Sequence, residues 1–89
     1  MAHHKSAQKR IRQSERRRKR NQHIRTGMRT QVKHFRQAVE AGDSEAATAR
    51  LKDAEKAIRK AATKGVIPQR RADRAVSRLA KSLHAIASA

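Results

Sequence analysis

The chain has 89 residues, with 24 Lys or Arg against 7 Asp or Glu, a formal net charge of +17. Such an imbalance disfavours compaction of the chain alone and favours association with nucleic acid or another anionic surface. Seventeen of its apolar residues are alanine and only fifteen are Ile, Leu, Val, Met or Phe. At about 25 cal/mol per Å² of buried apolar surface, that suffices for one small domain over residues 1–89 and excludes a deep catalytic cavity.

The first predicted element is a helix over about 5–41. It contains five consecutive basic residues, Arg16-Arg17-Arg18-Lys19-Arg20. Successive helical residues turn by about 100°, so these five cover the whole circumference and leave no face for a protein core. Lys5, Lys9, Arg12 and Arg16 form one row at helical spacing, while Arg10, Arg17, Arg18, Lys19 and Arg20 reach other sides. An apolar stripe begins only at Ile24 and continues through Met28, Val32, Phe35 and Val39. Residues 5–20 therefore read as an extension projecting roughly 25 Å beyond a bundle made by 21–87. Residues 1–36 carry thirteen basic and one acidic side chain, and 37–89 carry eleven and six. Like-charge neighbours three and four residues apart should leave the extension weakly helical by itself, and phosphates should order it.

Gly42 ends the first helix and Asp43 caps the second, expected over 43–63, with Glu45 placed favourably for its dipole. Ala47, Leu51, Ala54, Ile58 and Ala61 repeat at steps of four and three, an alanine-rich stripe that permits close helix approach. Glu55 and Arg59 stand at i,i+4. Gly65 ends this helix, Val66 and Ile67 are placed to plug the end of the bundle, and Pro68 opens a third helix over 68–87. Its stripe is Ala72, Val76, Leu79, Leu83 and Ile86. Nothing alternates with period two, and the short connections predict antiparallel neighbours: an all-α, three-helix antiparallel bundle with a long basic amino-terminal helix extending beyond it. Lys64, Arg70, Arg71, Arg74 and Arg78 form a second basic cluster, to which the positive end of the third helix would add.

Several chemistries find no support. Cysteine is absent, which removes disulfides and thiolate metal sites. Ala2-His3-His4, after loss of the initiator, has a spacing able to chelate square-planar copper or nickel, a weak two-residue signal; no cofactor or metal is expected. His23, His34 and His84 lack ligand spacing with one another, and no nucleophile–base pair, paired carboxylates or phosphate-cradling glycine loop occurs, so an enzyme with a small-molecule substrate is not expected. Phe35 is the single aromatic, which argues against base stacking and for recognition through phosphates and shape. No apolar run reaches signal-peptide or membrane-span length, so a cytoplasmic protein without a membrane partner is the expectation. A basic DNA-compacting protein of nucleoid type is the alternative reading. A basic zipper is disfavoured because Gly42 cuts its heptads short.

The ordered motifs Lys5-Ser6-Ala7, Lys9-Arg10, Gln13-Ser14-Glu15, Arg18 with Asn21, Met28-Arg29-Thr30 with Lys33, Gly42-Asp43, Lys64-Gly65-Val66-Ile67, Ala72 and Ser77-Arg78-Leu79 span nearly the whole chain. In this order and spacing the chain resembles the family of bacterial small-subunit ribosomal protein number twenty. The resemblance implies a three-helix bundle that binds 16S ribosomal RNA directly, as a monomer within the ribosome beside other small-subunit proteins, and stabilises the folding of that RNA and the assembly of the subunit. The RNA-contacting residues expected on this reading are Lys5, Ser6, Lys9, Arg10, Arg12, Arg16, Arg17, Arg18, Lys19, Arg20, Asn21, Arg25, Arg29, Lys33, Lys64, Arg70, Arg71, Arg74 and Arg78. The chain departs from the family's usual Gly-Val-Ile-His-Lys-Asn turn in having Pro68-Gln69-Arg70, and it has His3-His4 where the family begins with Asn-Ile.

Overall fold

The computed structural model describes residues 2–88, with side chains for 4–87. Three helices account for nearly all of it: α1 (Ala2–Glu40), α2 (Ser44–Thr63) and α3 (Gln69–Ser88). No strand occurs among the described residues, and the fold is an all-α three-helix bundle with a long first helix. Asp43 stands just outside α2 as its N-cap, its Oδ1 accepting from the Ala46 N–H at 3.0 Å. Pro68 likewise precedes α3 rather than opening it, and its carbonyl accepts from the Ala72 N–H at 3.1 Å.

Both turns close by the same device. Gly42 has φ +71° and Gly65 φ +75°, the left-handed conformation that L side chains rarely adopt. At the first turn the Gly42 N–H donates to the Val39 carbonyl at 2.9 Å and the Asp43 N–H to that of Ala38 at 3.1 Å. At the second, Gly65 donates to Ala62 at 3.0 Å and Val66 to Ala61 at 2.9 Å. Each is a Schellman closure, which satisfies carbonyls that a helix end leaves without partners and reverses the chain. The reversal brings the end of α2 back along α1, where Arg20 Nη2 approaches the Lys64 carbonyl at 3.5 Å.

The stripes meet as the periodicity predicts. Phe35 of α1, Ala47, Ala54, Ile58 and Ala61 of α2, and Ala72 and Leu79 of α3 are buried, with Val66 and Ile67 of the second turn closing the cluster. Ile24, Met28, Val32, Val39, Leu51, Val76, Leu83 and Ile86 pack around it, partly buried. Among the described residues, the large side chains that are fully buried are Phe35 and Ile58. Alanines on α2 let α1 and α3 approach closely from either side, while α1 and α3 meet each other only sparingly. Arg59 ties α2 to α3. Its Nη1 lies 2.7 Å from Asp73 Oδ1 and its Nε 3.8 Å from Glu55 Oε1. Both carboxylates and the guanidinium are about half exposed, so each pair is worth no more than about 1 kcal/mol.

The molecule is elongated. Its radius of gyration is 17.8 Å, against about 12 Å for a compact chain of this length. Its accessible surface is 7242 Å², against about 5,300 Å² for a globular protein of this mass. Residues 4–20 account for the difference: every one is exposed. The expectation of a weakly helical extension is not what the structure shows, since α1 is helical from Ala2. Residues 24–40 are packed and supply the nucleus, so each added residue of the extension needs only propagation, which costs far less than nucleation.

Replacing Gly42 or Gly65 with Ala forces a Cβ into the left-handed conformation. Although neither Cβ would meet another atom within 4 Å, each variant should lose roughly 1–2 kcal/mol of stability, read as a lower urea midpoint with unchanged m-value.

Candidate nucleic-acid interface

Charge on α1 surrounds the helix up to Arg20 and follows helical phase beyond it. The stretch 5–20 has no buried residue, so Lys5, Ser6, Lys9, Arg10, Arg12, Arg16, Arg17, Arg18, Lys19 and Arg20 all face solvent. Asn21, at its root, is half-buried, and its Oδ1 accepts from Arg20 Nη2 at 3.3 Å. Among the described residues Arg59 is the one Lys or Arg in an ion pair. The other described Lys and Arg side chains form no ion pair. Ile11 is 61% exposed, an isolated apolar side chain among these charges. His4 lies 3.2 Å from Gln8 across one helical turn. The side chain of His3 lies outside the described residues, and with it the Ala2-His3-His4 reading; among those described, no cluster of metal-ligating residues forms.

The structure then assembles a surface that linear order does not display. Arg18, Gln22, Arg25, Thr26 and Arg29 line one trough along α1. It leads to an open cleft of about 600 Å³ between α1 and α3, floored by Met28 and Val32 and rimmed by Arg29, Lys33, Arg36 and Arg71. A smaller depression of about 310 Å³ follows, over Phe35, Val39 and Leu79, with Arg36 and Arg78 at its edge. Arg71 and Arg78, seven residues apart on α3, thus join the cations of α1 along one seam. Glu40 is the acid that lines both hollows. The seam stays open because the two helices touch so little.

Other expected residues lie elsewhere. Arg70 and Arg74 stand two residues either side of buried Ala72 and line neither hollow, although Arg74 falls between Arg71 and Arg78 at steps of three and four along α3. Lys64 sits in the second turn beside Arg20. Pro68 at the N-cap offers no side-chain acceptor, so the first turn of α3 presents its positive end next to Arg70 and Arg71. Reading the sequence missed Arg36. It follows the buried Phe35 and was assigned to no cluster, although its spacing of three from Lys33 and seven from Arg29 was available as a signal. It also missed Asp73 as the cross-helix partner of Arg59, which needs the α2–α3 packing to be known.

Comparison with known proteins gives the chain a family. Residues 2–84 match the family described as Ribosomal protein S20. The chain is 52% identical over 86 residues to the Small ribosomal subunit protein bS20 of Pelobacter propionicus, covering 97% of this chain and 99% of that one. The protein of the same name from Trichlorobacter lovleyi is 51% identical over 86 residues, with the same coverage, and that of Anaeromyxobacter sp. (strain Fw109-5) is 45% identical over 89 residues, covering all of this chain and 99% of the relative. A match over nearly its whole length, joined to the long basic helix and glycine-closed turns described above, makes this chain a member of the ribosomal protein S20 family.

Proposed function

We propose that this protein is a structural constituent of the small ribosomal subunit that binds 16S ribosomal RNA directly, stabilising the folding of that RNA and the assembly of the particle. The observation that carries the reading is the 4–20 segment of α1, exposed on every side and cationic around its full circumference. A helix of that kind is matched to a surrounding polyanion. Threaded between RNA helices that repel one another, its Arg and Lys side chains neutralise phosphates of both. Arginine suits the task because its planar guanidinium can bridge two oxygens.

The bundle acts as the anchor. Arg25, Arg29, Lys33, Arg71 and Arg78 give it a basic flank continuous with the extension, and Lys64, Arg70 and Arg74 add contacts at the second turn and along α3. Duplex RNA keeps its base edges in a deep, narrow major groove, so recognition rests on backbone shape and junction geometry rather than on sequence. Such binding is stabilisation by linkage: the RNA arrangement that accepts the helix is favoured by its occupancy. The family's place in the small subunit makes the cytoplasm its site of action and other small-subunit proteins its neighbours. No helix among the described residues is long and apolar enough to cross a membrane.

Two measurements test the reading. For about six to eight phosphate contacts, the log–log dependence of RNA affinity on salt should have a slope of roughly −4 to −7, and binding should survive competition by duplex DNA. Equal affinity for the DNA would favour a compacting role. Replacing Arg16, Arg17 and Arg18 together with Gln should cost at least about tenfold in RNA affinity, each lost phosphate contact also flattening the salt slope by about one. Thermal unfolding of the bundle should stay where it is; a collapse of helicity would mean that the segment belongs to the core.

A further inference from the structure

Gly27 lies in the middle of α1, and nothing inside the molecule asks for a glycine there. Its backbone is ordinary helix, since only Gly42 and Gly65 have positive φ among the described glycines. Beyond the adjoining backbone of its own helix, a Cβ built on it would meet no atom within 4 Å. Glycine is the poorest helix former after proline, and alanine, used seventeen times in this chain, is the best. The packing of the bundle therefore gives no reason for the choice. What a missing Cβ does provide is room for another molecule's backbone to come against the helix.

The surroundings of Gly27 say what that molecule is. It sits in a shallow groove of about 190 Å³ between α1 and α2, lined by His23, Ile24, Met28, Gln31, Ala57 and Lys60. Ala57 keeps the α2 wall low, and Lys60 brings a cation to it. Along α1, Lys9, Arg16, Arg20, His23 and Gly27 follow one another at steps of seven, four, three and four, a single helical row. The groove is thus the continuation, onto the bundle, of one cationic side of the extension, passing Arg20 where it meets the second turn. The Oε1 of Gln31, one turn further on, is buried without a hydrogen-bond partner. A ribose hydroxyl in the groove would supply a donor once the amide rotates to meet it.

We infer that the α1–α2 groove at Gly27 is an RNA-backbone crossing site, in which a sugar–phosphate segment lies directly on the helix with Lys60 and His23 beside its phosphates. The inference rests on the RNA-binding reading and adds to it a contact on the side of α1 opposite the Arg29–Arg71 seam. It also gives a substitution that acts with opposite signs on fold and function. In Gly27→Ala the helix gains a better former, so the thermal midpoint rises by about 4–8 °C. The added methyl group holds the RNA backbone off the helix, and the dissociation constant for transcribed 16S RNA rises about tenfold, the equivalent of 1.4 kcal/mol.

The experiment titrates that RNA with the full-length wild-type protein, Gly27→Ala and Lys60→Gln at several salt concentrations, alongside thermal unfolding of each protein. A more stable but weaker-binding Gly27→Ala, with a salt slope smaller by about one in Lys60→Gln, supports the site. Wild-type affinity in Gly27→Ala would overturn it, as would a lowered midpoint, which would place the glycine's role within the fold. Failure of the wild-type protein to bind the RNA at all would overturn the functional reading instead, and the groove with it.

Discussion

The structure depends on a division of labour forced by electrostatics: positive charge that nothing in the chain neutralises has to be kept away from the surface that folds. With an excess of seventeen cations and a cluster in which only Phe35 and Ile58 are large, fully buried side chains, this protein cannot bury its charge or outweigh it. It places the densest part on residues 4–20, where each side chain is surrounded by water. The apolar stripes are confined to the stretch where α2 runs back along α1. Self-repulsion in the extension then falls on a segment that touches the bundle only at its root, where Arg20 reaches the Lys64 carbonyl.

Packing follows from this economy of large residues. Alanines at 47, 54, 61 and 72 are fully buried, so the helices approach closely and the few big side chains reach across the gaps. The two Schellman turns hold the geometry at little cost in chain length. Val66 and Ile67, bulky residues in a turn, seal one end of the cluster. α2 sits against both partners, and the α1–α3 seam is left open. An open seam is a poor way to make a core and a serviceable way to line up Arg29, Lys33, Arg36, Arg71 and Arg78 from two helices. Stability and the proposed binding surface draw on the same arrangement.

Much of this was legible before any coordinates. The three helices follow from Gly42, Gly65 and period-3.6 stripes, because glycine stops and apolar repeats are local signals. The exposure of residues 4–20 follows from five adjacent cations, which leave no apolar face. Other features are properties of packing and were out of reach. The Arg59–Asp73 contact joins residues fourteen apart on different helices. Arg36 acquires its place only when α3 lies beside it. Arg70 and Arg74 look equivalent to Arg71 in the chain, yet only Arg71 and Arg78 line the hollows between α1 and α3. The helicity of the extension depended on the packed half of α1 acting as a nucleus, a cooperative effect that pairwise repulsion between neighbours does not include.

The central claim is that residues 4–20 pack against none of the chain's own apolar residues, continue the packed half of α1 by propagation alone, and gain their lasting stability from a polyanion. Amide hydrogen exchange, resolved along α1 in the free protein and in its complex with 16S RNA, tests it most directly. Slow exchange confined to about residues 24–40 in the free protein, spreading through 5–20 in the complex, is the predicted pattern. Equal, strong protection of both stretches without RNA would contradict it.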